Sequence, residues 1–215
     1  MRFKYKHLIW DWNGTIVDDS NLCVEIVNEI LENYNLQTVS HDFYLNNFCF
    51  PVKNYYELLG LPIDETNYNK ISEHFIKQYR NRYYKCKLQN DILEIFHIFK
   101  ESGISQSVLS ASSQVDLLSF IDYYNLGEYF SIISGVKNTQ AHGKHEIALS
   151  HFTKINFNRN EVILIGDTVH DKIVADIIGI PCILINFGHN SDDSLKNCKS
   201  PVIKNYSELI KFVSS

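Results

Sequence analysis

The chain has 215 residues, 45% of them hydrophobic, which suits one large domain or a core with a small insertion. Its formal net charge of −5 argues against nucleic acid as a partner, because binding a phosphate backbone needs a basic surface. No apolar run approaches the ~20 residues of a membrane span, and the basic start has no apolar stretch behind it, so we expect neither a membrane segment nor a signal peptide.

The cysteines and histidines favour a reduced, cytoplasmic protein. The five cysteines are scattered and odd in number, with no Cys-x-x-Cys pair, which predicts free thiols rather than disulfides or a zinc site. The nine histidines contain no His-x-x-x-His pair, so we expect no zinc there either. Nothing indicates an obligate interface, and a monomer or weak homodimer is expected.

The first predicted element is a short buried strand, Leu8-Ile9-Trp10, that ends on Asp11. A continuous apolar run of this length is typical of a parallel strand that is covered on both faces. Gly14 and Thr15 follow at once, which indicates a turn. Open α/β sheets bind ligands at the carboxyl ends of their strands, so Asp11 is either a site residue or a plain strand-to-turn aspartate.

Helices are predicted for the next part of the chain. Apolar residues recur every four positions over 20–34, and Ser20 is the expected N-cap. A second apolar stripe predicts a helix over about 66–83. Residues 35–64 are rich in Asn and Tyr, with turn signals at 50–51 and 60–62, and receive no assignment.

From residue 90 onward, helices and strands alternate. The predicted strands are 107–110, 130–134, 162–165 and 181–186, and the predicted helices are about 92–102, 115–124, 144–152, 171–178 and 207–213. Such alternation implies a parallel sheet with right-handed crossovers. The predicted fold class is therefore α/β, with a Rossmann-like parallel sheet.

A second acidic stretch repeats the pattern of the first. The strand 162–165 is followed by Gly166 and Asp167, and Asp171 comes four residues later. Two buried strands that both end in carboxylates predict one shared acidic pocket, which is the usual construction of a Mg²⁺ site. The alternative is a turn with Asp171 as a helix cap.

Four segments, in this order, match the motifs of a known family: Asp11-Trp12-Asn13-Gly14-Thr15, Val108-Leu109-Ser110-Ala111-Ser112, Gly143-Lys144-His145-Glu146 and Gly166-Asp167-Thr168-Val169-His170-Asp171. With them the chain resembles the haloacid dehalogenase-like phosphohydrolases along nearly its whole length. Its layout is most similar to the phosphoglycolate phosphatase and β-phosphoglucomutase branch. The resemblance implies a core domain of residues 1–18 and 88–215 and an inserted helical cap domain of residues 19–87.

The resemblance also implies a function and a site. The chain would be a Mg²⁺-dependent phosphatase that acts on a small phosphorylated metabolite through an aspartyl-phosphate, with Asp11 as the nucleophile. Mg²⁺ would be held by Asp11, the main-chain carbonyl of Asn13 and Asp167, with support from Asp171. The residues expected to bind the substrate's phosphoryl group are Thr15, Ser110, Ala111 and Lys144.

Asn13 departs from the family pattern, which has an aspartate that serves as acid and base. An amide has no titratable proton near neutral pH, so we expect intact Mg²⁺ and phosphate binding but a chemical step slower by roughly 10²–10⁴-fold. Three residues of the predicted cap are candidate substitutes: His41, His74 and Tyr79. A substrate with a good leaving group could also compensate for the missing acid. A further hypothesis is that Asn13 is an engineered change meant to trap a complex.

Two alternatives follow from Asn13. Phosphonate-cleaving members of the family lack this aspartate and use a cap lysine, for which Lys53 beside Phe50 and Val52 is the candidate substrate contact. A protein that binds a phosphorylated metabolite with little turnover is the other. Arg80 and Arg82 are candidates for a second anionic group of a substrate, although surface helix arginines are common.

Overall fold

The structure is a computed structural model that describes residues 3–137 and 144–214. Its strands are β1 His7–Trp10, β2 Val17–Asp18, β3 Lys87–Leu88, β4 Ser105–Ser113, β5 Ile132–Val136, β6 Val162–Gly166, β7 Cys182–Ile185 and β8 Val202–Ile203. Six of them form a parallel sheet in the order β5-β4-β1-β6-β7-β8, and β2 pairs with β3 antiparallel. The predicted α/β class with a Rossmann-like parallel sheet is confirmed.

The central strand β1 is apolar throughout because both faces of the sheet are covered. Leu8 and Trp10 belong to the larger core cluster on one face, whereas Ile9 belongs to the cluster on the other. Trp10 is in register with Val108 of β4 and Ile165 of β6. The carboxyl ends of these three strands therefore meet at the same edge of the sheet.

Ten helices are described: α1 Ser20–Asn33, α2 His41–Asn47, α3 Val52–Leu58, α4 Glu65–Arg82, α5 Ile92–Glu101, α6 Gln114–Tyr123, α7 His145–Phe152, α8 Val169–Ile178, α9 Asp192–Lys196 and α10 Tyr206–Val213. α5 packs against β4, α6 against β4 and β5, and α8 against β6 and β7. Helices thus cover the sheet, as an all-parallel arrangement requires.

The first four helices lie in sequence between β2 and β3. Because β2 and β3 pair, the two ends of this helical segment return to the same place beside the sheet. α1 and α4 pack together, and Arg82 forms a double hydrogen bond with Glu29 at 2.7 and 2.8 Å. The division into a core and a cap domain remains a prediction.

Two details of the sequence reading are wrong. Ser20 is the first residue of α1 rather than its N-cap, and its hydroxyl is hydrogen-bonded to His41 Nε2 at 3.0 Å. α8 begins at Val169 rather than Asp171, because Thr168 is its N-cap and Asp171 completes the capping box from the third helical position. The two short helices α2 and α3 fall in the stretch that received no assignment.

Candidate active site

Three aspartates from two neighbouring strand ends lie together. Asp11 follows β1, Asp167 follows β6, and Asp171 lies in the first turn of α8. One carboxylate oxygen of each lies within 4.8 Å of the others. Asp167 and Asp171 are fully buried, and Asp11 is 9% exposed. The structure therefore brings the two predicted acidic stretches into one pocket.

Lys144 lies between two of these carboxylates. It immediately precedes α7, is 2% exposed, and its Nζ contacts Oδ1 of both Asp11 and Asp171. Burial alone would lower the pKa of Lys144, but Asp11 and Asp171 outweigh burial and raise it, so the ammonium group stays charged. Gly143, which precedes Lys144 in the predicted motif, lies outside the described residues. We call Asp11, Lys144, Asp167 and Asp171 the acidic floor.

The acidic floor contains three carboxyl groups but one ammonium group. Burial raises the pKa of Asp11 well above its usual value, and it raises the pKa of Asp167 to about 6. Burial acts on Asp171 in the same direction, but Lys144 and the Thr168 hydroxyl prevail and hold its pKa below the ordinary value. Three buried carboxylates around one ammonium group fit a further cation that prefers oxygen ligands.

Hydrogen bonds and two close glycines fix Asp167. Thr15 Oγ1 donates to its Oδ1 at 2.8 Å, and the main-chain N–H of His189 donates to its Oδ2 at 2.6 Å. Gly14 has φ +74°, and a Cβ there would lie 2.2 Å from Asp167 Oδ2; a Cβ on Gly188 would be as close. The Thr15 hydroxyl, predicted to bind near the phosphate, is thus directed to a carboxylate.

Asp171 is fixed by the start of its own helix. Its Oδ2 accepts hydrogen bonds from the main-chain N–H groups of Asp167 and Thr168 at 3.1 and 2.9 Å and from the Thr168 hydroxyl at 2.7 Å. Its other oxygen faces Lys144. One oxygen of Asp171 therefore caps the helix while the other faces the cluster, so the cap does not remove Asp171 from the acidic pocket.

The side chain of Asn13 is oriented by three partners. Its Nδ2 donates to Asp19 Oδ2 at 2.7 Å and to the Tyr79 hydroxyl oxygen at 2.8 Å, and its Oδ1 accepts from Ser112 Oγ at 3.0 Å. Tyr79 in turn donates to Asp19 at 2.7 Å. A carboxylate at position 13 would face the buried carboxylate of Asp19, so this environment favours an amide there.

Asp19 forms a buried ion pair with His189. His189 Nε2 lies 3.1 Å from Asp19 Oδ1, and its Nδ1 is hydrogen-bonded to the Tyr44 hydroxyl at 2.9 Å. Burial works to lower the pKa of His189, but Asp19 raises it to about 9, so the imidazole is charged at neutral pH. Burial likewise opposes ionisation of Asp19, yet His189 and the hydrogen bonds hold its pKa below normal.

The sequence reading gave no role to Asp19, His189 or Ser112. Asp19 follows β2 of the separate two-stranded sheet and carried no signal, but a signal existed for the other two: His189 comes shortly after β7, and Ser112 lies near the end of β4. In an open α/β sheet these positions converge on the ligand edge. Gln89, which donates to the Gly14 carbonyl at 2.8 Å, carried no comparable signal.

A cavity of about 200 Å³ lies above the acidic floor. Asp11, Asn13 and Lys144 line its bottom, and of the three clustered carboxylates Asp11 is the one that lines it. Aromatic rings from α2–α4 and the connection between α2 and α3 line the opposite side, and we call six of them the aromatic wall: Tyr44, Phe48, Tyr55, Tyr68, Phe75 and Tyr79. The nucleophile candidate thus faces a largely aromatic space.

Other predicted substrate contacts lie in different places. Ala111 lines the cavity, whereas Ser110 is buried beside it and accepts the N–H of Ser112 at 3.0 Å. Lys53 is exposed, is not among the described residues that line the cavity, and has its Nζ 5.8 Å from the centroid of the Tyr68 ring. The structure therefore does not bring Lys53 together with Asp11.

The structure also shows which of the candidate arginines and histidines line the cavity. Arg80 lines the cavity but forms two hydrogen bonds with Asp116, at 2.7 and 2.9 Å, while Arg82 binds Glu29. Of the three proposed substitutes for the missing acid, Tyr79 lines the cavity. The other two candidates, His41 and His74, are not among the described residues that line the cavity.

Comparison with known proteins identifies relatives along most of the chain. Residues 8–185 match the family model described as haloacid dehalogenase-like hydrolase. A phosphoglycolate phosphatase of Agrobacterium fabrum is 22% identical over 208 residues, which cover 94% of this chain and 89% of the relative. A phosphoglycolate phosphatase of Haemophilus influenzae is 22% identical over 200 residues, covering 88% and 89%.

Solved structures share the fold. The crystal structure of a predicted phosphatase from Clostridium acetobutylicum has a TM-score of 0.84 at 21% identity, covering 97% of this chain and 98% of that one. A haloacid dehalogenase-like family hydrolase from Streptococcus pneumoniae has a TM-score of 0.76 at 15% identity, covering 97% and 98%. Among the described residues, every helix is too short or too polar to cross a bilayer.

Proposed function

The chain belongs to the haloacid dehalogenase-like hydrolases, and from this premise we propose that it is a Mg²⁺-dependent phosphatase that acts on a small phosphorylated metabolite through an aspartyl-phosphate. One observation carries the proposal: Asp11 both contacts the buried ammonium group of Lys144 and lines the cavity. Relatives that are named phosphoglycolate phosphatases support the same reaction class.

In the first step, a carboxylate oxygen of Asp11 forms a bond to phosphorus. The bond between phosphorus and the ester oxygen breaks, and that oxygen leaves with the bonding electrons and takes up a proton. Lys144 neutralises part of the charge on Asp11 and on the phosphoryl oxygens, so that two anions can approach each other. Ala111, Ser112 and Ser110 at the end of β4 lie beside this position.

In the second step, water attacks phosphorus, its proton passes to solvent, and phosphate leaves with regeneration of Asp11. Among the described residues that line the cavity, Asp116 is paired with Arg80 and the Tyr79 hydroxyl donates to Asp19, so neither takes the place of the missing aspartate. Both proton transfers therefore proceed without the usual group, and this is the physical basis for a slow chemical step.

The residues that would hold Mg²⁺ are Asp11, Asp167 and the main-chain carbonyl of Asn13, with Asp171 beside them. Three carboxyl groups around one ammonium group are the feature that fits a cation. A bound Mg²⁺ would neutralise charge on the nucleophile and on the phosphoryl oxygens. Thr15, Gly14 and Gly188 shape this place by holding Asp167.

A second candidate function is binding of a phosphorylated metabolite with little turnover, and the fixed Asn13 amide is the observation that favours it. The cleavage of phosphonates by a cap lysine lacks such support, because Lys53 is exposed outside the cavity. The organisation that we propose around the site is the core of residues 1–18 and 88–215 with a cap of residues 19–87.

Phosphate release from an activated aryl phosphate and from a panel of phosphorylated metabolites tests these functions. We expect release that requires Mg²⁺, stops with EDTA and is abolished by Asp11→Asn. Release that survives Asp11→Asn would contradict the proposal. Stabilisation by a phosphorylated ligand and Mg²⁺ together, without any release of phosphate, would instead support the binding protein.

A further inference from the structure

The cavity above the acidic floor differs in character from a site for a small anionic ester. Its upper part is lined by half-buried and buried rings, including Phe75 and Tyr79, which stack at 6.2 Å with an interplanar angle of 14°. A cavity of about 150 Å³ with apolar walls suffices for a benzene ring, and this one measures about 200 Å³. The space and its lining therefore suit a planar aromatic group.

The cations at the cavity are already paired. Lys144 contacts Asp11 and Asp171, Arg80 forms two hydrogen bonds with Asp116, and His189 pairs with Asp19. A carboxylate on the substrate, as in phosphoglycolate, would have to share a cation with one of these anions or displace it. Within the described residues, the cavity thus provides one cation suited to the phosphoryl group, Lys144, and no unpaired one for a second anion.

Asn13 restricts the leaving group independently of the wall. The amide cannot protonate the departing oxygen, and three hydrogen bonds hold its side chain in this position. A phenol has a pKa of about 10, so its oxygen departs as an anion far more readily than that of an aliphatic alcohol. A site without an acid at this position suits a phenolic ester.

We propose that the substrate is a phenolic phosphomonoester, with its phosphoryl group at Asp11 and Lys144 and its ring against the aromatic wall. The reaction is the one given above, in which the P–O bond to the ring oxygen breaks and the phenolate takes its proton from solvent. This inference rests on the proposed phosphatase function and defines the class of its substrate.

Three esters test separately the contribution of the aromatic ring and that of the phenolic leaving group. Phenyl phosphate is aromatic with a phenolic oxygen, benzyl phosphate is aromatic with an aliphatic oxygen, and phosphoglycolate is aliphatic and anionic. With excess Mg²⁺, we expect kcat/KM to be roughly 10²-fold higher for phenyl than for benzyl phosphate, because no acid assists the poorer leaving group. Benzyl phosphate should exceed phosphoglycolate by about tenfold, because its ring contacts the wall.

Two variants test whether the aromatic ring of the substrate contacts the aromatic wall. Phe75→Ala should lower kcat/KM for phenyl phosphate about tenfold and leave phosphoglycolate unchanged within about twofold. Tyr68→Ala provides the same test where Phe75→Ala folds poorly. Phe212→Ala is the matched control, because Phe212 is 48% exposed on α10 and should leave both values unchanged.

Each outcome decides between the claims. Phosphoglycolate hydrolysed as well as phenyl phosphate would overturn the inference while leaving the phosphatase function intact. Equal kcat/KM values for phenyl and benzyl phosphate would also overturn the inference, because they would show that an acid of the protein protonates the leaving oxygen as the P–O bond breaks. No release from any ester above the Asp11→Asn background would refute the phosphatase function itself.

Discussion

The acidic floor and the aromatic wall face each other across one cavity but are built by different means. The floor consists of charged side chains beside strand ends and helix starts that are fixed by hydrogen bonds and ion pairs, as Asp171 is by Thr168 and Asp167 is by Thr15. The wall consists of rings on and between α2, α3 and α4 that pack against one another, as Tyr44 does on Tyr55 at 5.6 Å. The floor is therefore fixed by directional polar contacts, and the wall is fixed by the packing of rings.

This difference separates chemistry from selection. Every phosphomonoester must present the same phosphoryl group to the floor, so a change there should affect all substrates alike. The wall contacts only the remainder of the molecule, so a change there should alter the ratio between substrates. The variants below test that separation.

The largest effect is expected for the nucleophile. Asp11→Asn removes the attacking oxygen and should lower phosphate release by roughly 10⁴-fold or more with every ester. Steady-state phosphate release measures it, and Asp18→Asn is the matched control, because Asp18 is exposed in the same segment. A loss confined to one substrate would place Asp11 in recognition rather than in chemistry.

A smaller uniform loss is expected for the buried lysine. Lys144→Met removes the cation that faces Asp11 and the phosphoryl oxygens, which should cost about 10²–10³-fold in kcat. The surface substitution Lys196→Met, at a side chain 61% exposed, should leave kcat unchanged. If Lys144→Met changed only the ratio of aromatic to aliphatic esters, the distinction between floor and wall would be lost.

The border between floor and wall can be tested by stability. Asn13→Asp places a second carboxylate beside the buried carboxylate of Asp19 and should destabilise the fold by about 1–3 kcal/mol. Combined with Asp19→Asn, the same change should cost less than the sum of the two single changes, because the repulsion is gone. Denaturant unfolding of the four proteins measures the coupling, and strict additivity would show that the two residues do not interact.

A third region, below the floor, should govern the response to acid. His7 Nε2 and His151 Nε2 both bond Ser107 Oγ, at 2.7 and 2.9 Å, inside the core. Burial lowers the pKa of His7 to about 4 and of His151 to about 3, whereas an unfolded histidine titrates near 6.5. The unfolded chain binds more protons in this window, so stability present above pH 6.5 is lost as the pH falls toward 4.

Each of these histidines should contribute about 2 kcal/mol of lost stability between pH 7 and pH 5. The raised pKa values of Asp11 and Asp167 act with the opposite sign, since those carboxylates bind protons more tightly when folded. Unfolding at both pH values measures the balance. His7→Gln should weaken the dependence of the free energy of unfolding on pH, whereas His97→Gln, at an exposed side chain, should leave it unchanged. If the parent protein were more stable at pH 5 than at pH 7, the carboxylates of the floor would dominate the response to acid.

The sequence predicted those parts of the candidate site that lie in one short segment. The strand ends at Asp11 and Asp167 could be predicted because an apolar run, a glycine and a carboxylate follow one another within a single segment. Asp19 and His189 could not be paired, because 170 positions separate them and only the tertiary fold brings them together. The part of the wall on α2 and α3 is equally hidden, because these helices have seven residues each and depend on ring packing rather than on a local pattern. The part on α4 could be predicted from its apolar stripe.

The most direct test of the account is the time course of phenol release from an aryl phosphate, followed from the first turnover with Mg²⁺ present. Because Asn13 cannot activate water, the phosphorylated Asp11 should accumulate. We therefore predict a rapid burst of about one phenol per chain, then slow turnover, with the phosphoryl group recovered on the peptide that contains Asp11 after acid quenching. Linear release from the first turnover, with no phosphoryl group on that peptide, would contradict an attack by Asp11.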